Sequence, residues 1–295
     1  MLMRGVPKKI IFILCISCLI AITTACDKSK SKSDEISHSA SVVQQSQSAQ
    51  RVASVDKAHV EKIEQNKIAV VRRAAEDGNA EAQELMCRNY VSGYGGTVDY
   101  HKAFSWCQKS ADQGRAGAQY VLGWMYKYGL GVEKNDSQAA SWFKKGADQG
   151  DLDAQCDLGS AYVKGRGVSK DVGHGMQLIL ASAEKGLPKA QYFMGAAYIH
   201  AVGVERDYRK AMGWNRKAAE QGYIDAQRVL GIAHQKGDGV EKDLVQAHKW
   251  LSLAGVENGD AKKRAKQLEQ EMSAAQLQLA KEMALRWKSQ RKVQN

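Results

Sequence analysis

Residues 118–150 read AQYVLGWMYKYGLGVEKNDSQAASWFKKGADQG, and the landmarks of this stretch recur along most of the chain. The Ala-Gln pair ends at Gln83, Gln119, Gln155, Gln191 and Gln227, each 36 residues after the last. Other series keep step. Gly78, Gly114, Gly150, Gly186 and Gly222 form one, and Gly95, Gly131, Gly167, Gly203 and Gly239 form a second. Gly123, Gly159, Gly195 and Gly231 form a third, with Cys87 at its head. Tyr90, Tyr126, Tyr162 and Tyr198 end in His234, and Trp106, Trp142, Trp214 and Trp250 skip only Leu178. A fixed period of this size marks a repeat architecture, in which each unit buries its apolar face against its neighbours.

Each unit decodes as two helices. Ala82, Met86 and Tyr90 stand at i, i+4 and i+8, one face of a first helix, A. The Gly95 position supplies a turn that favours positive φ. Asp99, Asn135, Asp171, Asp207 and Asp243 stand where an N-cap would accept backbone N–H bonds. Helix B follows, with Ala103, Trp106 and Ala111 on one face, and it stops at the Gly114 position. The small residue inside helix A is expected to let helix B approach, with the Trp filling the gap beside it. The expected fold is all-α: an α/α superhelical solenoid of five 36-residue helix–turn–helix repeats with capping helices.

The ends of the chain read differently. Residues 1–9 carry three basic residues and no acid, and residues 10–22, IIFILCISCLIAI, are apolar or small. Thirteen such residues fall short of the roughly 20 that a membrane helix needs, and fit a secretory signal peptide. Ala25-Cys26 then resembles a bacterial lipobox, so the expected cut leaves Cys26 as a lipidated N-terminus. Thr23 departs from the aliphatic residue usual there. Secretion without lipid and an uncleaved anchor are the alternatives. The expected location is the periplasmic face of a bacterial membrane, inner or outer. The domain map is a signal peptide at 1–25, a Ser/Gln/Lys tether at 26–55 and an N-terminal capping helix at 56–78. Five repeats at 79–258 and basic capping helices with a tail at 259–295 complete it. A break near Ser273 is expected to cap the second of the C-terminal helices.

The formal net charge of +11 sits at the two ends. Residues 1–25 carry +3 and residues 261–295 carry +6, whereas the body is nearly neutral. A nucleic-acid binder shows a basic stripe across its folded body, so no nucleic-acid partner is expected.

The pattern A-Q-x-x-L-G-x-x-Y-x-x-G-x-G-V, then D-x-x-x-A-x-x-W-x-x-x-A-A-x-x-G, resembles the Sel-one-like repeat, a relative of the tetratricopeptide repeat. It covers roughly residues 67–260. Cys87 for Gly, Leu178 for Trp, Ala201 for the first turn Gly and Gly175 for Ala are the departures. The resemblance implies a right-handed superhelix of antiparallel helix pairs. It also implies a protein-binding scaffold or adaptor at the bacterial envelope, rather than a catalyst. Exported relatives that act as immunity or regulatory proteins give an alternative, as do cysteine-rich relatives described as β-lactamase-like.

No G-x-S-x-G, H-E-x-x-H, P-loop or dinucleotide fingerprint occurs. No histidine has a Cys or His partner at metal-ligand spacing. No enzyme activity, cofactor, metal or small-molecule substrate is expected, and His234 reads as a helix residue rather than a base. Cys87 and Cys107 fall at matched height in one helical hairpin, either bridged or as two small buried thiols. Cys156 has no evident partner. On helix A the arc opposite the core reads Tyr120, Trp124 and Tyr128 in one repeat, then Tyr192, Phe193 and His200, then Arg228. An aromatic strip with charges beside it suits capture of a protein or peptide. Packing between adjacent repeats is the other reading of those aromatics. Contact with a membrane is expected only through the lipid anchor.

Overall fold

A computed structural model of the chain describes residue 63 and residues 65–294. The expected signal peptide at 1–25, the expected tether at 26–55 and the start of the expected capping helix at 56–78 fall outside the described residues. Helix α1 takes in residues 65–76. The repeats contribute α2 (Ala80–Ser92), α3 (Tyr100–Asp112), α4 (Ala116–Tyr128), α5 (Asp136–Asp148), α6 (Leu152–Lys164) and α7 (Val172–Glu184). They continue with α8 (Pro188–His200), α9 (Tyr208–Glu220), α10 (Ile224–Lys236) and α11 (Leu244–Ala254). Helices α12 (Gly259–Leu268) and α13 (Ala274–Gln294) close the chain. No strand occurs among the described residues.

The chain forms two compact units, one through Trp106 and one from Cys107 to Asn295. In the first, Ala75, Ala82 and Met86 form a small core flanked by Val71, Tyr90 and Trp106. In the second, α4 packs on α5, α6 on α7, α8 on α9 and α10 on α11, and each pair packs on the next. Helix α11 then packs on α12 and α13.

The capping chemistry explains where the B helices begin. Asn135, Asp171, Asp207 and Asp243 each accept a backbone N–H in the first turn. Asp99 does the same for the N–H of Lys102 at 3.0 Å. Each such cap stabilises a helix by about 1 kcal/mol. The same N–H donors hold the carboxyls of Asp99 and Asp207 below their ordinary range.

The second turn glycine has two reasons to be glycine. Gly167 and Gly239 have φ of 73° and 72°. A side chain at either would run into the carbonyl of Asp136 or Tyr208, the first residue of the preceding repeat's helix B. Each turn therefore rests on the start of the preceding B helix, which sets how one repeat sits on another.

At the crossing of the two helices, a Cβ on Gly123 would lie 2.5 Å from the Phe143 ring and 3.1 Å from the Ala139 carbonyl. Gly159, Gly195 and Gly231 face Ile179, Asn215 and Leu251 in the same way. This corrects the expectation that the Trp fills the gap. The residue after the Trp fills it, because one step along a helix turns the side chain by about 100°. Trp142 is nonetheless buried at 8% exposure, with Lys145 Nζ 3.7 Å above its ring. Trp250 turns toward α13, where it meets Trp287 edge-on at 6.4 Å.

The Gln that marks the period has a structural task. Nε2 of Gln83, Gln119, Gln191 and Gln227 donates to the carbonyls of Ala75, Ala111, Ala183 and Ala219, at 3.0, 3.3, 3.1 and 3.1 Å. Those carbonyls lie in the last turn of the preceding helix, where each also accepts the N–H of the glycine three residues on, so the glutamine takes up the second lone pair. Each glutamine thus staples a repeat to the helix before it.

At the C-terminal end, Ser273 separates α12 from α13. Its Oγ accepts from Gln276 N at 3.2 Å, and Gln276 Oε1 accepts from Ser273 N at 2.9 Å, a reciprocal capping box. Helix α12 lays Ala261, Ala265 and Leu268 against Ala247 and Leu251 of α11.

Candidate protein-binding surface

In the second unit the A helices α4, α6 and α8 touch in succession, and no comparable contact joins the B helices α5, α7 and α9. The A helices therefore line the inner side of this stack. Their last residues, Tyr128, Lys164, His200 and Lys236, form an exposed row at 36-residue steps. One turn back, Trp124, Ala196 and Ile232 are half-buried and Ser160 is buried. Exposure thus rises toward the C-terminal ends of the A helices.

The residues singled out in the sequence divide along this gradient. Tyr128 is 55% exposed, and its ring lies 5.4 Å from that of half-buried Trp124. His200 is exposed at the end of α8, and Arg228 is half-buried on α10. Tyr120 is 9% exposed, which corrects the expectation that it opens on the groove. Its ring packs 6.1 Å from Phe143, with Lys189 Nζ of α8 5.9 Å from its centroid. Burial pushes its phenol far above the ordinary range. Tyr192 stacks 5.2 Å from Tyr223 and 6.0 Å from Phe193, and Phe193 packs on the core between α6 and α8. Burial raises the Tyr192 phenol and carries that of Tyr223 up to about 12. Tyr120, Tyr192 and Phe193 are therefore packing residues between repeats, and Tyr128 and His200 face solvent.

Cys26 lies outside the described residues. Cys87 and Cys107 each take part in a disulfide, whereas Cys156 is a free buried thiol. Burial pushes the Cys156 thiol up to about 12, so it is a poor nucleophile at neutral pH. His234 is 7% exposed and its Nδ1 lies 3.1 Å from the Glu241 carbonyl, so Nδ1 carries the proton. Burial lowers its pKa. Among the described residues no group of three His, Cys, Asp or Glu side chains could hold a metal, and no helix is long and apolar enough to cross a membrane.

One charged feature escapes a reading of single repeats. Asp157 of α6 has a side chain only 1% exposed. Its Oδ1 accepts from Lys127 Nζ of α4 at 3.0 Å, and its Oδ2 from Lys189 Nζ of α8 at 2.6 Å. One carboxylate thus ties three successive A helices together. Burial pulls the Lys189 amine down, but the Asp157 carboxylate outweighs it and holds the amine well above its ordinary value. The signal in the sequence was a break in a column. At 36-residue steps Leu85, Val121, Phe193 and Val229 are apolar, and Asp157 alone is charged.

The Sel1 repeat model matches residues 80–114, 116–151, 152–187, 188–223 and 224–255, which agrees with the observed helix pairs. A search of curated protein sequences gives no match. A Sel1 repeat protein from Oxalobacter formigenes is 36% identical with a TM-score of 0.59, over 68% of this chain and 59% of its own. The protein c5321, a protective antigen of uropathogenic Escherichia coli with an SLR fold, is 30% identical with a TM-score of 0.57, over 76% of this chain and 56% of its own. The chain thus spans less than two thirds of either relative. The immunity protein Pa5087 from Pseudomonas aeruginosa is 24% identical with a TM-score of 0.49, over 64% of this chain and 72% of its own, and the likeness is one of fold alone. With five tandem matches over paired helices in one register, the chain belongs to the Sel1 repeat family.

Proposed function

We propose that the chain is a non-catalytic scaffold that holds a partner protein against the A-helix surface of its second unit. The observation that carries this reading is the exposed row of Tyr128, Lys164, His200 and Lys236, each the last residue of a helix that ends in a left-handed turn. Sel1 repeats serve in general as protein-interaction scaffolds. Groups fixed on helices lose little freedom when a partner docks, so more of the contact energy appears as affinity. The partner is a protein or peptide, because a shallow row of aromatic and basic side chains recognises an extended surface rather than an enclosed small molecule. We further propose that the chain is exported and tethered through a lipidated Cys26. The relative c5321 is a protective antigen, which is in keeping with a place at the envelope.

A photo-crosslinking residue placed at Tyr128 or His200 in intact cells tests the surface, with Lys144 on the B helix α5 as control. One protein recovered from both A-helix positions and not from the control is the expected result. Equal recovery from the control removes the assignment. For the tether, Cys26→Ser should move the protein from the membrane to the soluble fraction. An unlipidated mature N-terminus by intact mass overturns the anchor.

A further inference from the structure

At the C-terminal ends of α4 and α6 lies a small cavity of about 30 Å³. Lys127, Lys164 and Arg166 line it, as do Asp157, Phe143 and Asp136. Its volume is room for about two waters, enough for two oxygens and too little for an aromatic ring. Its charges do not balance. Both oxygens of Asp157 are already taken by Lys127 and Lys189. Among the described residues no carboxylate forms a hydrogen bond or ion pair with Lys164 or Arg166, and the other carboxylate lining the cavity is Asp136. The start of α5 also faces the cavity through Asp136, Ala139 and Ala140. Burial, together with the neighbouring charges of Arg166 and Lys127, holds the Lys164 amine below its ordinary value. Phe143, Ala139 and Ala140 give the cavity an apolar lining, suited to the stem of a short acidic side chain.

We infer that this cavity anchors an Asp or Glu carboxylate of the partner protein, paired with Lys164 and Arg166. The inference rests on the proposed protein-binding role of the A-helix surface and gives the partner a chemistry: an acidic segment meeting the exposed row at Lys164. Arg presents a fork of N–H donors that matches the two oxygens of a carboxylate, and Lys supplies a second charge beside it.

The test is fluorescence anisotropy on the purified full chain, using a labelled alanine-based peptide with two glutamates and its twin with two glutamines. At moderate salt the Glu peptide should bind at least tenfold tighter than the Gln twin. The double variant Lys164→Gln, Arg166→Gln should erase that preference with an unchanged melting curve. The double variant Lys262→Gln, Lys263→Gln, which neutralises exposed lysines of α12, should keep it. Equal binding of the twins overturns the inference, as does a preference that survives in the first variant or vanishes in the second. Inorganic phosphate displacing the peptide at a tenfold lower concentration than acetate also overturns it, in favour of a phosphoryl ligand. Crosslinks at Tyr128 and His200 that persist in the Lys164, Arg166 variant would leave the scaffold reading standing while the carboxylate anchor failed.

Discussion

Repeat 2 and repeat 4 solve the same packing problem with different chemistry. In repeat 2, Gly123 of α4 lies under the ring of Phe143, which is 2% exposed and has no polar atom to satisfy. In repeat 4, Gly195 of α8 lies under the amide of Asn215. Asn215 Nδ2 donates to the Ala211 carbonyl at 2.9 Å, but Oδ1 is buried without a hydrogen-bond partner. The turns differ as well. Gly129 ends α4 at φ 68°, whereas Ala201 ends α8 at φ 56°, a left-handed conformation that strains an L-residue. Yet the two helix pairs keep the same lengths and the same register. The backbone is set by what recurs, the caps, turns and staples, and local departures are absorbed as lost stability rather than as a changed fold.

Substitutions can break or sharpen that contrast. Phe143→Ala empties the best-filled crossing and should destabilise by about 3–5 kcal/mol in urea unfolding. A loss under ~1 kcal/mol would show that the crossing does not depend on what fills it. The next effect in size concerns repeat 1, where Cys87 stands in the glycine column and Cys107 in the Phe143 column. If the two pair with each other, reduction should cost about 3 kcal/mol, as expected for a closed loop of about 20 residues. Non-reducing peptide mapping should recover that linkage, and a different pairing would remove the analogy.

Asn215→Leu should raise stability by about 1–2 kcal/mol, since it removes a buried acceptor without a partner and installs the residue found at Leu251. An unchanged or lower melting temperature would mean that repeat 4 needs its amide. Ala201→Gly should add up to about 1 kcal/mol by relieving the left-handed strain. The same change at Ala197, within the helix, should subtract a similar amount.

The smallest effect is a pH dependence in repeat 5. Burial lowers the His234 pKa in the folded chain below its unfolded value near 6.5. The unfolded state then binds protons first as the pH falls. His234 therefore contributes full stability above about pH 6.5, and loses it as the pH drops through the folded-state value. His234→Tyr, the residue of the other four repeats, should flatten the melting temperature over that acid range. An unchanged slope would place the acid sensitivity elsewhere.

The pairing of helices, the caps and the turn glycines were legible because each rests on a residue type that recurs at one position. The crossing was misread by one residue for the opposite reason. The Trp column is conspicuous, whereas the column that fills the crossing holds Cys107, Phe143, Ile179, Asn215 and Leu251, which share no chemistry. The aromatic arc was legible only in part. Tyr128 lies eight residues beyond Tyr120, hence about 80° further round the helix and at its far end, where the neighbouring helix no longer covers it. The Asp157 network needs three repeats in space before its lysines meet, and only the lone acid in an apolar column announced it.

The glutamine staple has a consequence for heredity. A stretch such as residues 116–151 carries its own glutamine near the start, Gln119, and at its end the kind of carbonyl that the next glutamine needs. A DNA segment encoding 36 residues, duplicated or deleted in frame, therefore brings or removes both halves of the joint at once. The chain can lengthen or shorten by whole units without a second, compensating mutation. Unequal recombination between neighbouring copies becomes a route to new surfaces, because the columns that face solvent can vary while the joint stays the same.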